Sequence, residues 1–271
     1  MKYTVFGGNG FIGSALCRRL VRDGHEVVVP ERNFENLGDD DLGVVYYCIG
    51  LTSDFRTRIF DTVDAHVCTL KSILQRFSFQ SFIYLSSTRV YKHTITRPAL
   101  EIDSLQINPI EVDDVYNISK LMGESICLAQ SSGDVKVARI SNVIGLDLDS
   151  ENFLTSIIKQ AIEYGKVDLH TSVDSAKDYI LLDDLIDMLV KMPYGKERIY
   201  NLCSGVNLAT RDILEELGKH VNFELCIHGN ARFIFTEISN HQAQRDLEIY
   251  PKPMLKELGR IIKLYKNENS H

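Results

Sequence analysis

Short runs of β-branched and aromatic residues alternate with longer amphipathic stretches through the first half of the chain. Tyr3-Thr4-Val5-Phe6, Val27-Val28-Val29, Val44-Val45-Tyr46-Tyr47-Cys48-Ile49, Phe82-Ile83-Tyr84-Leu85 and Val135-Lys136-Val137-Ala138-Arg139-Ile140 read as strands. Helical patterns fall between several of them, over 14–20, around 60–77 and around 116–131. This βαβα order predicts an α/β fold, a Rossmann-type doubly wound parallel sheet. After about residue 146 the pattern becomes mixed, with helices predicted near 151–164, 183–191, 210–220 and 253–266. We therefore expect a Rossmann domain over 1–145, with segments near 171–205 returning to it, and a smaller mixed α/β lobe over 146–271. No repeat, low-complexity linker or Pro/Gly-rich hinge marks the boundary.

Residues 7–13 read Gly-Gly-Asn-Gly-Phe-Ile-Gly, directly after the first strand and directly before the helix-forming Ser14-Ala15-Leu16-Cys17-Arg18-Arg19-Leu20. A turn that must curl tightly, approach a pyrophosphate and let a helix pack on a strand needs residues without a β-carbon. The free N–H groups of the helix then face the phosphates. The placement makes this a dinucleotide-binding turn, with Gly7, Asn9, Gly10, Phe11, Ile12 and Gly13 as candidate contacts.

Two further segments carry candidate chemistry. Leu85-Ser86-Ser87-Thr88-Arg89-Val90-Tyr91 lies at the carboxyl end of a buried strand, where open parallel sheets place their ligands. Tyr116-Asn117-Ile118-Ser119-Lys120 opens a helix, and its Tyr116 and Lys120, four apart, share a face. A phenol with a reference pKa of about 10 is a poor base at neutral pH. A nearby ammonium, or the positive ring of an oxidised nicotinamide, favours the phenolate and moves it toward the working range.

Composition acts mainly by exclusion. A net charge of −7 and a pI of about 5.6 over 271 residues give no footprint for nucleic acid or an anionic membrane. Arg18-Arg19 reads as a solvated helix face. Six cysteines at 17, 48, 68, 127, 203 and 226 show no metal or redox spacing and suit a reducing compartment, so no metal is expected. The chain enters its first strand at residue 3 and has no apolar run long enough to span a bilayer, so the expected location is cytoplasmic.

The stretches GGNGFIG (7–13), SSTRVY (86–91), YNISKLMGE (116–124), ARISNVIG (138–145), KDYILLDDL (177–185) and IYNLCSG (199–205) follow one another in that order. On these the chain resembles the extended short-chain dehydrogenase/reductases, the NAD-dependent epimerase/dehydratase family that modifies nucleotide sugars, over nearly its whole length. The resemblance implies Tyr116 as acid/base and Lys120 as the residue that holds the nicotinamide ribose and lowers the tyrosine pKa. Counting back from Val90-Tyr91 puts the hydroxyl that bonds the reacting oxygen at Ser87, with Ser86 and Thr88 as neighbours. The implied substrate is a nucleoside-diphosphate sugar between sheet and lobe, near Ser87, Thr88, Arg89, Asn142 and Asn152. For Asn142 a simple turn role is the other reading. Lys177 stands where the family usually has arginine before Asp-Tyr. It either meets the diphosphate as a point charge or forms a structural ion pair. A homodimer through the helices near 60–77 and 116–131 is also implied.

Departures from the family pattern sharpen the expectations. Only a dozen residues separate Glu31 from Val44, where a strand and a helix are usual. The third strand is therefore expected to be missing and the adenine side open, with Asp39, Asp40 and Asp41 in the remaining loop. His66 replaces a common asparagine, Lys92 and His93 stand where glycine is usual, and Leu146 replaces a proline. Arg89 falls where sugar 4,6-dehydratases carry an acid, and a cation cannot abstract a proton, so that reaction is disfavoured. This leaves 4-epimerisation or net oxidoreduction at a sugar carbon. The alternatives are an NADPH-using 4-ketoreductase and, from another class, a non-catalytic dinucleotide sensor. Glu31, at the expected end of the second strand, accepts from the ribose hydroxyls and repels a 2′-phosphate, while the adjacent Arg32 either stacks on adenine or neutralises that phosphate; the balance favours NAD over NADP.

Overall fold

Side chains of the first strand divide between two apolar layers, as burial on both faces requires. In β1 (Lys2–Phe6), Tyr3 and Val5 enter one layer and Phe6 the other. The chain continues through α1 (Phe11–Arg22), β2 (Glu26–Val28) and β3 (Val44–Tyr47) to α2 (Ile59–Val63), a π-helical turn Asp64–Cys68 and α3 (Thr69–Arg76). Then come β4 (Ser81–Ser87), α4 (Asp114–Leu128) and β5 (Asp134–Ile140). The computed structural model describes residues 1–271 except 33, 35, 36, 39, 40, 53, 132, 133, 146–151, 269–271 and the side chain of 268. Asp39, Asp40 and Leu146 lie outside the described residues.

The second half contributes β6 (Asn142–Ile144), α5 (Phe153–Tyr164), β7 (Lys166–Leu169), β8 (Ala176–Leu181), α6 (Leu182–Lys191) and β9 (Ile199–Leu202). It ends with β10 (Asn207–Ala209), α7 (Thr210–Gly218), β11 (Glu224–Ile227), α8 (His241–Leu247) and α9 (Met254–Glu268). The main sheet is parallel throughout, in the order β2-β1-β3-β4-β5-β9. One face is covered by α1, α6 and α8 over Leu16, Tyr46, Leu85, Leu185 and Tyr200, the other by α3 and α4 over Tyr47, Leu70, Phe82, Tyr84 and Val137. A separate core of Leu154, Ile158, Val167, Ile213, Leu258 and Ile262 joins α5, α7 and α9 to the small sheets β10-β8-β6 and β11-β7. The doubly wound parallel sheet is thus as expected, and β9 returns to it after the lobe has begun.

Among the described residues no strand pairs outside β2, so the family's usual third strand is missing there, as expected. The space is filled instead by Phe34, edge-on to Phe6 with ring centroids 5.3 Å apart, and by buried Leu37 and Leu42. Two expectations need correction. β2 ends at Val28, so Glu31 and Arg32 lie beyond the strand in a turn, where the Phe34 N–H donates to the Glu31 carbonyl. Arg19 is not a solvated charge: it pairs with Asp23 on its own helix and with Asp187 on α6, tying the two helices together. No helix is long and apolar enough to cross a membrane among the described residues.

Candidate active site

The glycine turn closes on itself. Gly7 has φ +77°, and a β-carbon there would come within 2.9 Å of the Cys48 carbonyl carbon. A β-carbon at Gly13 would lie 2.2 Å from the Gly7 oxygen. Gly10, by contrast, is exposed and meets only that oxygen at 3.4 Å, so backbone at the start of α1 stays open to a ligand. Asn9 is exposed and Phe11 and Ile12 are half-buried beside it. This cradle fits the pyrophosphate of a dinucleotide.

The other candidate groups converge at the carboxyl end of β4. Ser87 is its last residue; its hydroxyl accepts from the Arg89 N–H at 3.2 Å and lies close enough to the Tyr116 phenol to favour its ionised form. Tyr116 and Lys120 do share one face of α4, with the Lys120 ammonium 6.0 Å from the phenol ring centroid. The electrostatics differ from the sequence expectation, however. Burial raises the Tyr116 pKa, while the Ser87 hydroxyl and the Arg89 charge pull it back. Lys120 instead donates to the Leu85 carbonyl at 2.9 Å, and burial lowers its pKa to about 7. The helix that carries this pair is anchored from below: Arg139 of β5 grips the Glu124 carboxylate at 2.7 and 3.1 Å, and Ser86 donates to the same carboxylate at 2.5 Å. Ser86 is therefore committed to Glu124, and Ser87 is the serine whose hydroxyl acts on the Tyr116 phenol.

His66, in the π-helical turn, is fully buried with its ring edge-on to Tyr116, centroids 5.2 Å apart. Its Nε2 accepts from the Leu51 N–H at 3.3 Å, so Nδ1 carries the proton and donates to Ser119 Oγ at 2.8 Å. Ser119 in turn donates to the Tyr116 carbonyl at 2.9 Å. Burial, and then the charge of Lys120, push the His66 pKa down to about 2. An unfolded histidine titrates near pH ~6.5. Below that pH the unfolded chain takes a proton that the folded one refuses, so this stabilisation is present above pH ~6.5 and is lost as the pH falls. Relative to His66→Gln, the wild type is expected to lose about 2 kcal/mol more stability between pH ~7 and ~5, read by urea denaturation. Equal losses would show that the ring titrates normally.

Thr88 is buried and Arg89 is paired with Asp113 at 2.7 Å. Asn142 is on the exposed side of β6 but donates to the Asp178 carbonyl at 2.8 Å, and with Thr88 it borders a cavity of about 20 Å³, room for a water. The Asn152 side chain caps α5 by accepting from the Thr155 N–H at 2.9 Å, a structural task the sequence reading did not anticipate. Lys177 lies over Phe153 and Phe235, 5.1 and 5.6 Å from their centroids, and among the described residues no carboxylate reaches it; the ion-pair reading is not what forms. Lys92 and His93 bind Glu111 and Asp114, so the ammonium occupies the carboxylates that, with His93, would otherwise resemble a metal site.

The profile of the NAD dependent epimerase/dehydratase family matches residues 3–203. The chain belongs to that family. Within it, the chain is 25% identical over 239 residues to UDP-glucuronic acid decarboxylase 1 of Xenopus tropicalis, covering 76% of this chain and 56% of the relative. It is 25% identical over 254 residues to UDP-glucose 4-epimerase of Mycolicibacterium smegmatis, covering 79% and 80%. The chain spans little more than half the length of the decarboxylases it matches. In fold it is similar to UDP-glucose 4-epimerase of Thermotoga maritima, with TM-score 0.85 at 16% identity over 99% of each chain. It is also similar to MoeE5 in complex with UDP-glucose and NAD, with TM-score 0.83 at 17% identity over 99% of each chain.

Three residues of this family member's site escaped the sequence reading. Phe55 packs on Tyr116 at 5.1 Å, Arg56 lies over Phe55 at 4.5 Å, and Asp113 bridges Arg56 to Arg89. The available signal was position: Phe55 and Arg56 follow β3 on the same carboxyl edge at which Ser87 ends β4.

Proposed function

We propose that the protein is an NAD-dependent nucleotide-sugar epimerase or oxidoreductase that works on a UDP-sugar. The observation that carries this is the meeting of Ser87, Tyr116 and Lys120 at one sheet edge. NAD, when bound, supplies the hydride acceptor. Gly7, Asn9, Gly10, Phe11, Ile12 and Gly13 hold its pyrophosphate and Glu31 and Arg32 flank its adenosine, while Lys120 holds the ribose. Tyr116 takes the proton of the sugar hydroxyl, Ser87 orients that oxygen, and Lys177 meets the diphosphate. Residues 1–145 carry the cofactor and the lobe over 146–271 closes on the sugar, which Asn142 meets from the first of these and Asn152 from the second. The activities of the two relatives, on UDP-glucuronic acid and UDP-glucose, support the substrate class.

A second reading, a 4-ketoreductase using NADPH, is favoured by one feature. Arg32 and Arg76, with Asp64, line a cleft of about 490 Å³ between the segment after β2 and α3, where the two arginines suit a 2′-phosphate. A homodimer is supported by Ile59, Phe60 and Val63 on α2 and Met122 on α4, all exposed. Sedimentation at the 30.8 kDa of one chain would refute it.

The test of function is incubation of the NAD-loaded protein with UDP-glucose, UDP-galactose and UDP-glucuronate. Reduced-nicotinamide absorbance and the NMR spectrum of the sugar are then followed. One sugar is expected to change at a single carbon. Unchanged sugars and silent absorbance, with cofactor binding confirmed, would point to the sensor instead.

A further inference from the structure

Two arginines beside Tyr116 share one carboxylate, and a lysine without one lies within reach of their charge. The Arg56 and Arg89 guanidiniums lie 4.5 and 5.2 Å from the centroid of Phe55, the ring that also packs on Tyr116. Asp113 accepts from Arg56 at 2.6 and 3.0 Å and from Arg89 at 2.7 Å. Lys177 is the third charge. After burial, the two arginines are what hold its pKa down, and among the described residues it has no carboxylate partner. Lys92 adds nothing to the excess, because Glu111 and Asp114 already neutralise it.

A structural ion pair would need one cation for Asp113. Two arginines on that one carboxylate, with the Lys177 charge close enough to be repelled by both, leave an excess of positive charge, the arrangement expected of a site that awaits an anion. The Nε of Arg89 is moreover buried without a partner, a donor with nothing to donate to.

Position identifies the anion. Arg89 follows Ser87 by two residues, and its charge acts on the Tyr116 phenol, the group that faces the reacting sugar hydroxyl. A substituent on the next sugar carbon lies on that side, whereas the diphosphate hangs from the opposite end of the ring. Guanidinium forks match a carboxylate in a bidentate manner.

We propose that Arg89 and Arg56 bind a carboxylate carried on the sugar carbon next to the reacting one, so that the substrate is a nucleoside-diphosphate uronic acid. This rests on the nucleotide-sugar reading above, and leaves Lys177 for the diphosphate.

Isothermal titration of the NAD-loaded protein with UDP, UDP-glucose and UDP-glucuronate tests it. UDP-glucuronate is expected to bind about 10- to 100-fold more tightly than UDP-glucose. Arg89→Gln removes most of that preference and Arg56→Gln part of it, while the affinity for UDP alone shifts by less than about threefold. If Arg89→Gln fails to fold, the wild-type preference and Arg56→Gln decide. Equal affinity for the two sugars overturns the proposal. So does a loss of UDP affinity as large as the loss of UDP-glucuronate affinity, since the arginines would then serve the diphosphate. If UDP-glucose binds and UDP-glucuronate does not, only this inference falls. If none of the three binds while NAD does, the nucleotide-sugar reading falls with it.

Discussion

Tyr116→Phe is expected to lower turnover by about 10²- to 10⁴-fold, the usual worth of a positioned acid/base, with NAD bound as tightly as before. The substitution removes one oxygen and little else. The ring keeps its contacts with Phe55 and His66, at centroid distances of 5.1 and 5.2 Å, and α4 is unaltered. What is lost is the hydroxyl on which Ser87 acts. No neighbour replaces it: His66 is held neutral with its proton committed to Ser119, and Lys120 is turned to the Leu85 carbonyl. The cofactor cradle lies on another loop, so cofactor affinity reads folding and kcat reads the proton. A variant with near-normal kcat would remove Tyr116 from the mechanism.

Arg139→Met is expected to cost about 3–5 kcal/mol of stability. Arg139 and Glu124 are each only 4% and 3% exposed, and the truncation leaves the carboxylate in the core with a single Ser86 hydroxyl for company. Tyr91 loses its donor as well, since its hydroxyl accepts from Arg139 at 2.7 Å while donating to Asn201 at 2.8 Å. Removing both charges together, as Arg139→Met with Glu124→Leu, should recover much of the loss, because an apolar pair avoids the unpaired charge. Urea midpoints of the two variants decide it. A single variant within about 1 kcal/mol of wild type would mean that water reaches the site and solvates Glu124.

The legible parts of this fold are those that local pattern alone determines. Val44 to Tyr47 and Phe82 to Leu85 are buried on both faces, so they read as unbroken apolar runs whatever surrounds them. Tyr116 and Lys120 meet through helical spacing, and the glycine turn through the steric demands of its own backbone. The missing strand could be counted, because a dozen residues cannot supply a strand and a helix. Other features depend on partners distant in the chain. Asp113 joins Arg56 across 57 positions and Arg89 across 24, and nothing in either segment signals the other. Arg19 looked solvated because its partner Asp187 is 168 residues away. The lower pKa of Lys120 and the raised one of Tyr116 follow from burial, which tertiary packing decides. The end of β2 was placed at Glu31 but falls at Val28, two residues before Pro30, whose ring lacks the N–H a further ladder bond would need.

That same proline matters when many copies share a solution. Among the described residues β2 forms the free margin of a six-stranded sheet, and such a margin offers its backbone to any extended chain that drifts past. Val27, Val28 and Val29 are the residues a growing fibril would choose. Three paired positions, Glu26 exposed at one end and Pro30 just beyond the other make the margin too short and too poor in donors to recruit a neighbour. Losing the outer strand thus did not leave this sheet open to self-assembly.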